Sequence, residues 1–254
     1  MLRTKRYFIS DIHLGIPDFE GSLKREKLVV EWLEEVHKDA LEIYLLGDIF
    51  DVWMEYKRVV PRGFTRFLGK IADITDSGIP VHYFAGNHDQ WITDYLPRET
   101  GVILHRDRLI TELDGKRFFL AHGDGLGPSD KGYKRMKAVF RHPVSNWLYS
   151  RFHPNFGIGL AAAVSYNKRN PRERRFPVYR GEDGEWLILY AKKKLQQEHF
   201  DYFIFGHRHI PINILLKENC RFINLGDWLS YFSYAVYDGS DVELKYFRKP
   251  KEDV

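Results

Sequence analysis

The sequence has one cysteine, Cys220, among its 254 residues. It cannot form an internal disulfide, which excludes a small disulfide-stapled scaffold and favours a reducing compartment. No run approaches the roughly 18 apolar residues that a bilayer-spanning helix needs. The longest soft stretch, Phe156 to Tyr166, is far short of that. The start, MLRTKRYFIS, passes from basic residues straight into a strand-like run, without the h-region or small-residue cleavage site of a signal peptide. These features predict a cytoplasmic protein that at most visits a membrane surface. Internal repeats and low-complexity segments are also missing. Apolar material is not: the chain is 44% hydrophobic and 15% aromatic, which excludes a disordered or collagen-like chain.

The length predicts one large domain, or a domain with a sizeable insertion. A net charge of +4 hides an asymmetry. Between Lys131 and Arg180 stand twelve Lys and Arg against a single acid, Glu173. That segment carries +11, so the remainder carries −7. A basic block of this kind calls for an anionic partner: nucleic acid, a phosphorylated ligand or an acidic lipid surface. The alternative is a solvated helical face.

Along the first half, strands and helices alternate. RYFIS (6–10), EIYLL (42–46) and VHYFA (81–85) read as buried strands. Between them, residues 22–37 carry Leu23, Val30, Leu33 and Val36 at helical spacing, and residues 62–76 carry Phe64, Phe67, Leu68 and Ile71. Pro61 and Gly78 bracket the second helix. Strands separated by such helices predict parallel pairing and an α/β core. Shorter strands follow near 102–105, 108–113 and 117–121, with Asp114-Gly115 as a hairpin signal. A helix over 185–199 and a strand at 201–205 come next, and strands near 212–217, 220–225, 233–237 and 242–247 finish the chain. The aromatic, basic stretch 131–180 reads as a helical cap inserted into a core made of 1–130 and 181–254.

Each of four strands ends in metal-competent side chains: Asp11-Ile-His13, Gly47-Asp48-Ile-Phe-Asp51, Gly86-Asn87-His88-Asp89 and Gly206-His207-Arg208-His209. A fifth, FFLAHGD, ends in His122. Taken singly, each has a plain reading: a helix cap for GD-x-x-D, a turn for GNHD. Five in order are another matter, because ligands in open α/β sheets sit beyond the carboxyl ends of the strands, where these loops would converge. Imidazole, carboxylate and amide oxygen together suit Mn²⁺, Fe or Zn²⁺ better than Ca²⁺. Six further histidines, His37, His82, His105, His142, His153 and His199, lie outside the motifs and read mostly as surface or packing residues. The two in the cap, His142 and His153, are candidates for ligand contact.

The order D-x-H, GD-x-x-D, GNH-D, a later His, then GH-x-H resembles the calcineurin-like metallophosphoesterases over residues 7–227. The resemblance implies an α/β/β/α sandwich with two metals, one taking Asp11, His13 and His209, the other Asn87, His122 and His207, with Asp48 bridging. Mn²⁺ is the expected ion. Two such cations about 3.5–4 Å apart clamp a phosphoryl group and lower the pKa of a shared water. His88, directly after a ligand, would stabilise or protonate the leaving oxygen, with Asn87 beside it. Asp51 and Asp89 would support the ligands or form turns.

From His122 onward, HGDGLGPSDKGYKRMKAVFRHP is similar to the UDP-2,3-diacylglucosamine pyrophosphatases of lipid A biosynthesis, as are GHRHIP, INLGDW and DVELKYF. Hydrolysis to UMP and 2,3-diacylglucosamine 1-phosphate is implied, with Asp130 and Tyr133 on the glucosamine and Lys168 or Arg169 on phosphate. The chain departs from many members at His88 and Lys137, where they carry Arg. The interleaved bases and apolar residues of 131–180 fit a lipid-linked diphosphate and a peripheral seat on an anionic inner membrane. No stable protein partner is inferred.

Two rivals belong to other classes. A broad-specificity phosphodiesterase or nuclease of the same superfamily would use the basic insertion on nucleic acid, with steep salt dependence. No recognisable nucleic-acid module supports it. A non-catalytic scaffold would show eroded ligands, whereas here the whole set is present.

Overall fold

The computed structural model describes residues 2–127, 142–168 and 178–251. Two sheets stack face to face. The first has six strands in the order β11 (Val242–Tyr246), β10 (Ser233–Tyr237), β1 (Lys5–Ile9), β2 (Ala40–Leu45), β3 (Val81–Phe84) and β4 (Ile103–His105). The second runs β5 (Leu109–Leu113), β6 (Lys116–Ala121), β7 (Tyr202–Phe205), β9 (Arg221–Leu225) and β8 (Pro211–Leu215). β1 to β4 pair in parallel, as do β6, β7 and β9. The predicted hairpin turns at Asp114-Gly115, with Leu113 opposite Lys116.

Period-two alternation explains the layering, since successive strand residues point to opposite faces. Phe8, Tyr44, Phe118, Leu120 and Ile204 fill the space between the sheets. Their neighbours Tyr7, Ile9, Ile43 and Leu45 face outward into a core shared with α1 (Phe19–Val36), α2 (Thr65–Asp76) and α3 (Tyr95–Thr100). On the far side, Phe119, Phe203 and Phe205 pack under α6 (Trp186–Leu195) through Leu187, Ile188 and Ala191. The result is the expected α/β/β/α sandwich. Two more helices, α4 (Pro143–Tyr149) and α5 (Pro154–Lys168), lie within 131–180.

Helix starts differ from the sequence expectation for tertiary reasons. α1 begins earlier because Asp18 accepts the Gly21 N–H at 2.7 Å, an N-cap. Ser22 instead accepts from the Gly15 N–H at 2.7 Å. α2 begins at Thr65 and not near Pro61. Its first donors, the N–H groups of Arg66 and Phe67, go to Glu26 of α1 at 2.9 and 3.2 Å. α3, absent from the sequence reading, has its N-terminal N–H groups held by Glu55 from the loop after β2.

Candidate metal centre

All five motif loops leave the carboxyl ends of β1, β2, β3, β6 and β7, and backbone hydrogen bonds knit them together. Asp11 N donates to Gly47 O at 3.0 Å, His13 N to Asp48 O at 3.0 Å, and Gly206 N to His122 O at 3.0 Å. Asp48 Oδ1 accepts from His88 N, and Asp11 Oδ2 from His207 N, both at 2.8 Å. Asp11, His13, Asp48, His207 and His209 all adopt left-handed backbone conformations, with φ between 50 and 68°. Non-glycine residues rarely sit there, and such strain concentrates where the surroundings fix a functional geometry. Two glycines make the approach possible: a Cβ on Gly86 would overlap Asp48 Oδ1, and one on Gly206 would lie 2.5 Å from Asp11 Oδ2.

Three groups of electron-pair donors result among the described residues: Asp11, His13 and His209; Asp48, His122 and His207; and a third, His13, Asp51 and His88, that shares His13 with the first. In the first, His13 Nδ1 lies 3.1 Å from Asp51 Oδ1 and His209 Nδ1 lies 3.1 Å from Asp227 Oδ2. Each Nδ1 therefore carries the proton given to its carboxylate, so the two rings face each other through Nε2 across 3.3 Å. Asp11 Oδ1, 3.4 Å from His209 Nε2, is buried with no hydrogen-bond partner among the described residues. In the second group, His122 Nδ1 donates to Leu46 O at 2.8 Å. Its Nε2 then faces Asp48 Oδ2 and Asn87 Oδ1, each at 3.2 Å, and His207 Nδ1 at 3.3 Å.

Facing lone pairs repel unless a cation lies among them, so the donor set fits metal ions. Asp48 Oδ2 is also 3.8 Å from His13 Nε2, which sets this carboxylate between the groups. The electrostatics agree. Burial disfavours a charged His122, yet the charge and hydrogen bond of Asp48 raise it to about 10. At neutral pH this field draws a proton, or in its place a metal ion, onto Nε2. Burial and the neighbouring His122 push His207 down to about 4. Burial would raise Asp48, but the charges of His122 and His88 hold it well below the carboxylate range.

His88 stands beside the first group, its ring edge-on to His13 at 4.8 Å. Its Nδ1 is 3.0 Å from the Asp51 carbonyl, which only accepts, so Nδ1 carries a proton and Nε2 faces Asp48 Oδ2 at 4.0 Å. Asp89 is wholly buried and ties two ligand loops together, accepting from Ile49 N, Gly86 N and the Tyr83 hydroxyl at 2.9, 2.7 and 2.6 Å. Burial and the Asp48 charge raise it to about 6.

Sequence reading missed Asp227, the partner of His209, and the Glu185–Arg208 pair beside His207. Asp130, Tyr133 and Arg169 lie outside the described residues, as does the side chain of Lys168 at the end of α5. His142 and His153 accept backbone N–H groups of Val144 and Asn155, at the starts of α4 and α5.

The fold and site can be set beside known proteins. A sequence model of the calcineurin-like phosphoesterases matches residues 4–211. A Porphyromonas gingivalis W83 protein named UDP-2,3-diacylglucosamine hydrolase is 43% identical, over 96% of this chain and 98% of its own. A Shewanella baltica OS185 protein of the same name is 26% identical over 94% and 95%. A solved phosphoesterase from E. coli superposes with a TM-score of 0.47 at 15% identity, over 95% of this chain and 92% of its own.

Proposed function

The chain belongs to the calcineurin-like phosphoesterases, and from that premise we propose that it hydrolyses the diphosphate of UDP-2,3-diacylglucosamine, giving UMP and 2,3-diacylglucosamine 1-phosphate. The observation that carries the reading is the pair of facing nitrogen sets with Asp48 between them, in a chain 43% identical over nearly its whole length to a protein named for that substrate.

Asp11, His13 and His209 would hold one divalent cation, Asn87, His122 and His207 a second, and Asp48 both. With their mixed nitrogen and oxygen donors, Mn²⁺ is the ion we assign. When bound, such a pair polarises the phosphoryl group and makes water acidic enough to attack at neutral pH. The protein orients the donors: Asp51, Asp227 and the Leu46 carbonyl fix the tautomers of His13, His209 and His122. His88 keeps its Nδ1 proton on the Asp51 carbonyl, so any proton it moves to the leaving oxygen resides on Nε2.

Residues 131–180 act as the substrate-facing cap in this reading, with Asp130 and Tyr133 on the sugar and Lys168 or Arg169 on phosphate. Its docking to the core supports a place for acyl chains: Trp91 stacks on Tyr149 of α4 at 5.3 Å, beside a cleft lined by Met54, Tyr56 and Asn146. Trp147 and Phe156 are 55% and 58% exposed, with Val144 and Leu148 equally so. That apolar face, with Arg151 over Trp147 at 4.6 Å, supports peripheral seating on an anionic membrane from the cytoplasmic side. No helix among the described residues is long and apolar enough to cross a membrane.

The test is turnover of UDP-2,3-diacylglucosamine in detergent with added Mn²⁺, followed as UMP release, with Asp48→Ala and His88→Ala beside the wild type. UMP release that Asp48→Ala abolishes supports both the dimetal chemistry and the lipid substrate. Metal-dependent cleavage of an aryl phosphodiester without any UMP would sink the lipid assignment.

A further inference from the structure

Between His207 and His209 lies an arginine that the chemistry above does not use. The Arg208 guanidinium forms a fork-to-fork pair with Glu185: Nε lies 2.7 Å from Oε2, and Nη2 lies 2.9 Å from Oε1. The Glu185 side chain is 2% exposed and that of Arg208 21%, so the pair is anchored from inside and open on its outer side. Glu185 also accepts the Arg180 N–H at 3.2 Å, where the chain returns from the cap. Its neighbour Trp186 sets its ring edge-on to His207 at 5.8 Å. Through Glu185 and Trp186 the pair adjoins His207, whereas His88 stands against His13.

A guanidinium carries five N–H donors in one plane. Glu185 occupies one on Nε and one on Nη2, which among the described residues leaves the other edge of the fork, Nη1 with Nη2. That edge matches two oxygens of a phosphate. The ligand loops are otherwise rich in carboxylates, namely Asp11, Asp48, Asp51, Asp124 and Asp227, which largely offset the charge of two divalent cations, so a second phosphate beside the centre gains from a further fixed positive charge. Arg25 also meets a ligand loop, but it is buried and bonded to the carbonyls of His13 and Ile16.

We propose that Arg208, positioned by Glu185, binds the phosphoryl group adjacent to the one attacked, and so favours diphosphates over simple phosphodiesters. This deepens the diphosphatase reading and rests on it. A diphosphate diester carries one negative charge on each phosphorus. As water attacks one phosphorus and the P–O–P bond breaks, the departing phosphate takes the bonding pair and gains charge, which a fixed guanidinium offsets without reorganising. The buried carboxylate supplies the fixing, since an untethered arginine spreads over many rotamers.

Arg208→Ala, Arg208→Lys and Glu185→Gln should be compared with wild type in the Mn²⁺-loaded state. The substrates are UDP-2,3-diacylglucosamine in detergent and bis(p-nitrophenyl) phosphate, with bound metal counted and inorganic pyrophosphate binding measured by calorimetry. For Arg208→Ala we expect KM for the diphosphate to rise and kcat/KM to fall at least about tenfold more than on the aryl diester, the scale of a charge-assisted hydrogen bond. Pyrophosphate affinity should fall by a similar factor with metal content unchanged, and added guanidinium ion should restore part of the loss. Arg208→Lys and Glu185→Gln should fall between. Equal losses on both substrates, lost metal, or unaltered pyrophosphate binding would overturn the proposal and leave the pair as a brace for the histidine loop. If wild type cleaves the aryl diester but not the nucleotide lipid, the substrate reading fails, and pyrophosphate binding still decides the role of Arg208.

Discussion

Asp227 holds His209 in its tautomer. Oδ2 lies 3.1 Å from His209 Nδ1, while Oδ1 accepts backbone N–H groups from Leu229, Ser230 and Tyr231 at 3.1, 2.8 and 3.2 Å. The carboxylate is thus locked by its own turn before it orients the ring. Asp227→Asn keeps the shape but weakens the acceptor, and the amide can present a donor to Nδ1. Metal affinity at the Asp11, His13 and His209 group should drop about 10- to 100-fold, while the His122 group is much less affected. Metal titration followed calorimetrically should show one of two binding steps weakened; two unaltered steps would remove this role from Asp227.

In the proposed reading His88 transfers a proton and gathers no metal. His88→Gln should lower kcat by about 10²- to 10⁴-fold, the range for loss of a general acid. Metal content should remain that of the wild type. Equal loss of metal and activity would instead make His88 a ligand, which its proximity to Asp51 and His13 leaves as the competing outcome.

Gly86 has no room for a side chain. Its Cβ would meet the Asp48 backbone N and Asp48 Oδ1, which is held by the His88 N–H. Gly86→Ala should destabilise the fold by about 1–3 kcal/mol, the usual cost of overpacking, and lower metal affinity as well, because the displaced atom belongs to Asp48. Thermal unfolding of the metal-free protein measures the first effect separately; an unchanged midpoint would contradict it.

A second histidine pair, away from the metal centre, should make stability depend on pH. His82 Nδ1 lies 2.9 Å from His105 Nε2, and the rings stack on Tyr44 and Phe84. Burial, then the neighbouring His82, push His105 down to about 4, and burial lowers His82 too. In the unfolded chain a histidine titrates near 6.5. Between about pH 6.5 and 4 the unfolded state therefore binds protons that the native state refuses. This stability is fully present above the unfolded value and is lost as pH falls through that window. His105→Phe keeps the stack and cannot ionise, so its drop in Tm from pH 7 to pH 5 should be smaller than that of the wild type. An equal or larger drop would show that the pair does not govern this window.

Much of this was legible in one dimension. Alternating runs such as RYFIS and DYFIF mark strands with two buried faces, and the helices between them require parallel crossovers. The proposed ligands are short local words at strand ends, so Asp11, His13, Asp48, Asn87, His122, His207 and His209 could be named from those motifs and the family resemblance that their order carries. The rest depended on contacts distant in sequence. Asp227 lies in a Gly-Asp-Trp turn that looks like any other, and its meaning comes from a histidine 18 residues earlier. Helix α3 contains Pro97 and spans six residues, too few for a periodic signal. Glu55, 40 residues upstream of Tyr95, caps its start.

By itself, the sequence determined residue types and periods: which segments are strands, which face is apolar, and which donors stand at each strand end. Only the tertiary structure decided which ring nitrogen of His13, His209 and His122 faces the centre. For His13 and His209 that choice is made by Asp51 and Asp227, each on the loop after a neighbouring strand of the same sheet, and for His122 by the Leu46 carbonyl, which it meets only because the two sheets stack. Packing of α6 on the second sheet likewise brings Glu185, just before the helix, to Arg208, just after β7. Hydrogen bonds and Coulomb forces act over a few ångströms, so a pattern in the chain can supply the groups while only the fold can set the distances between them.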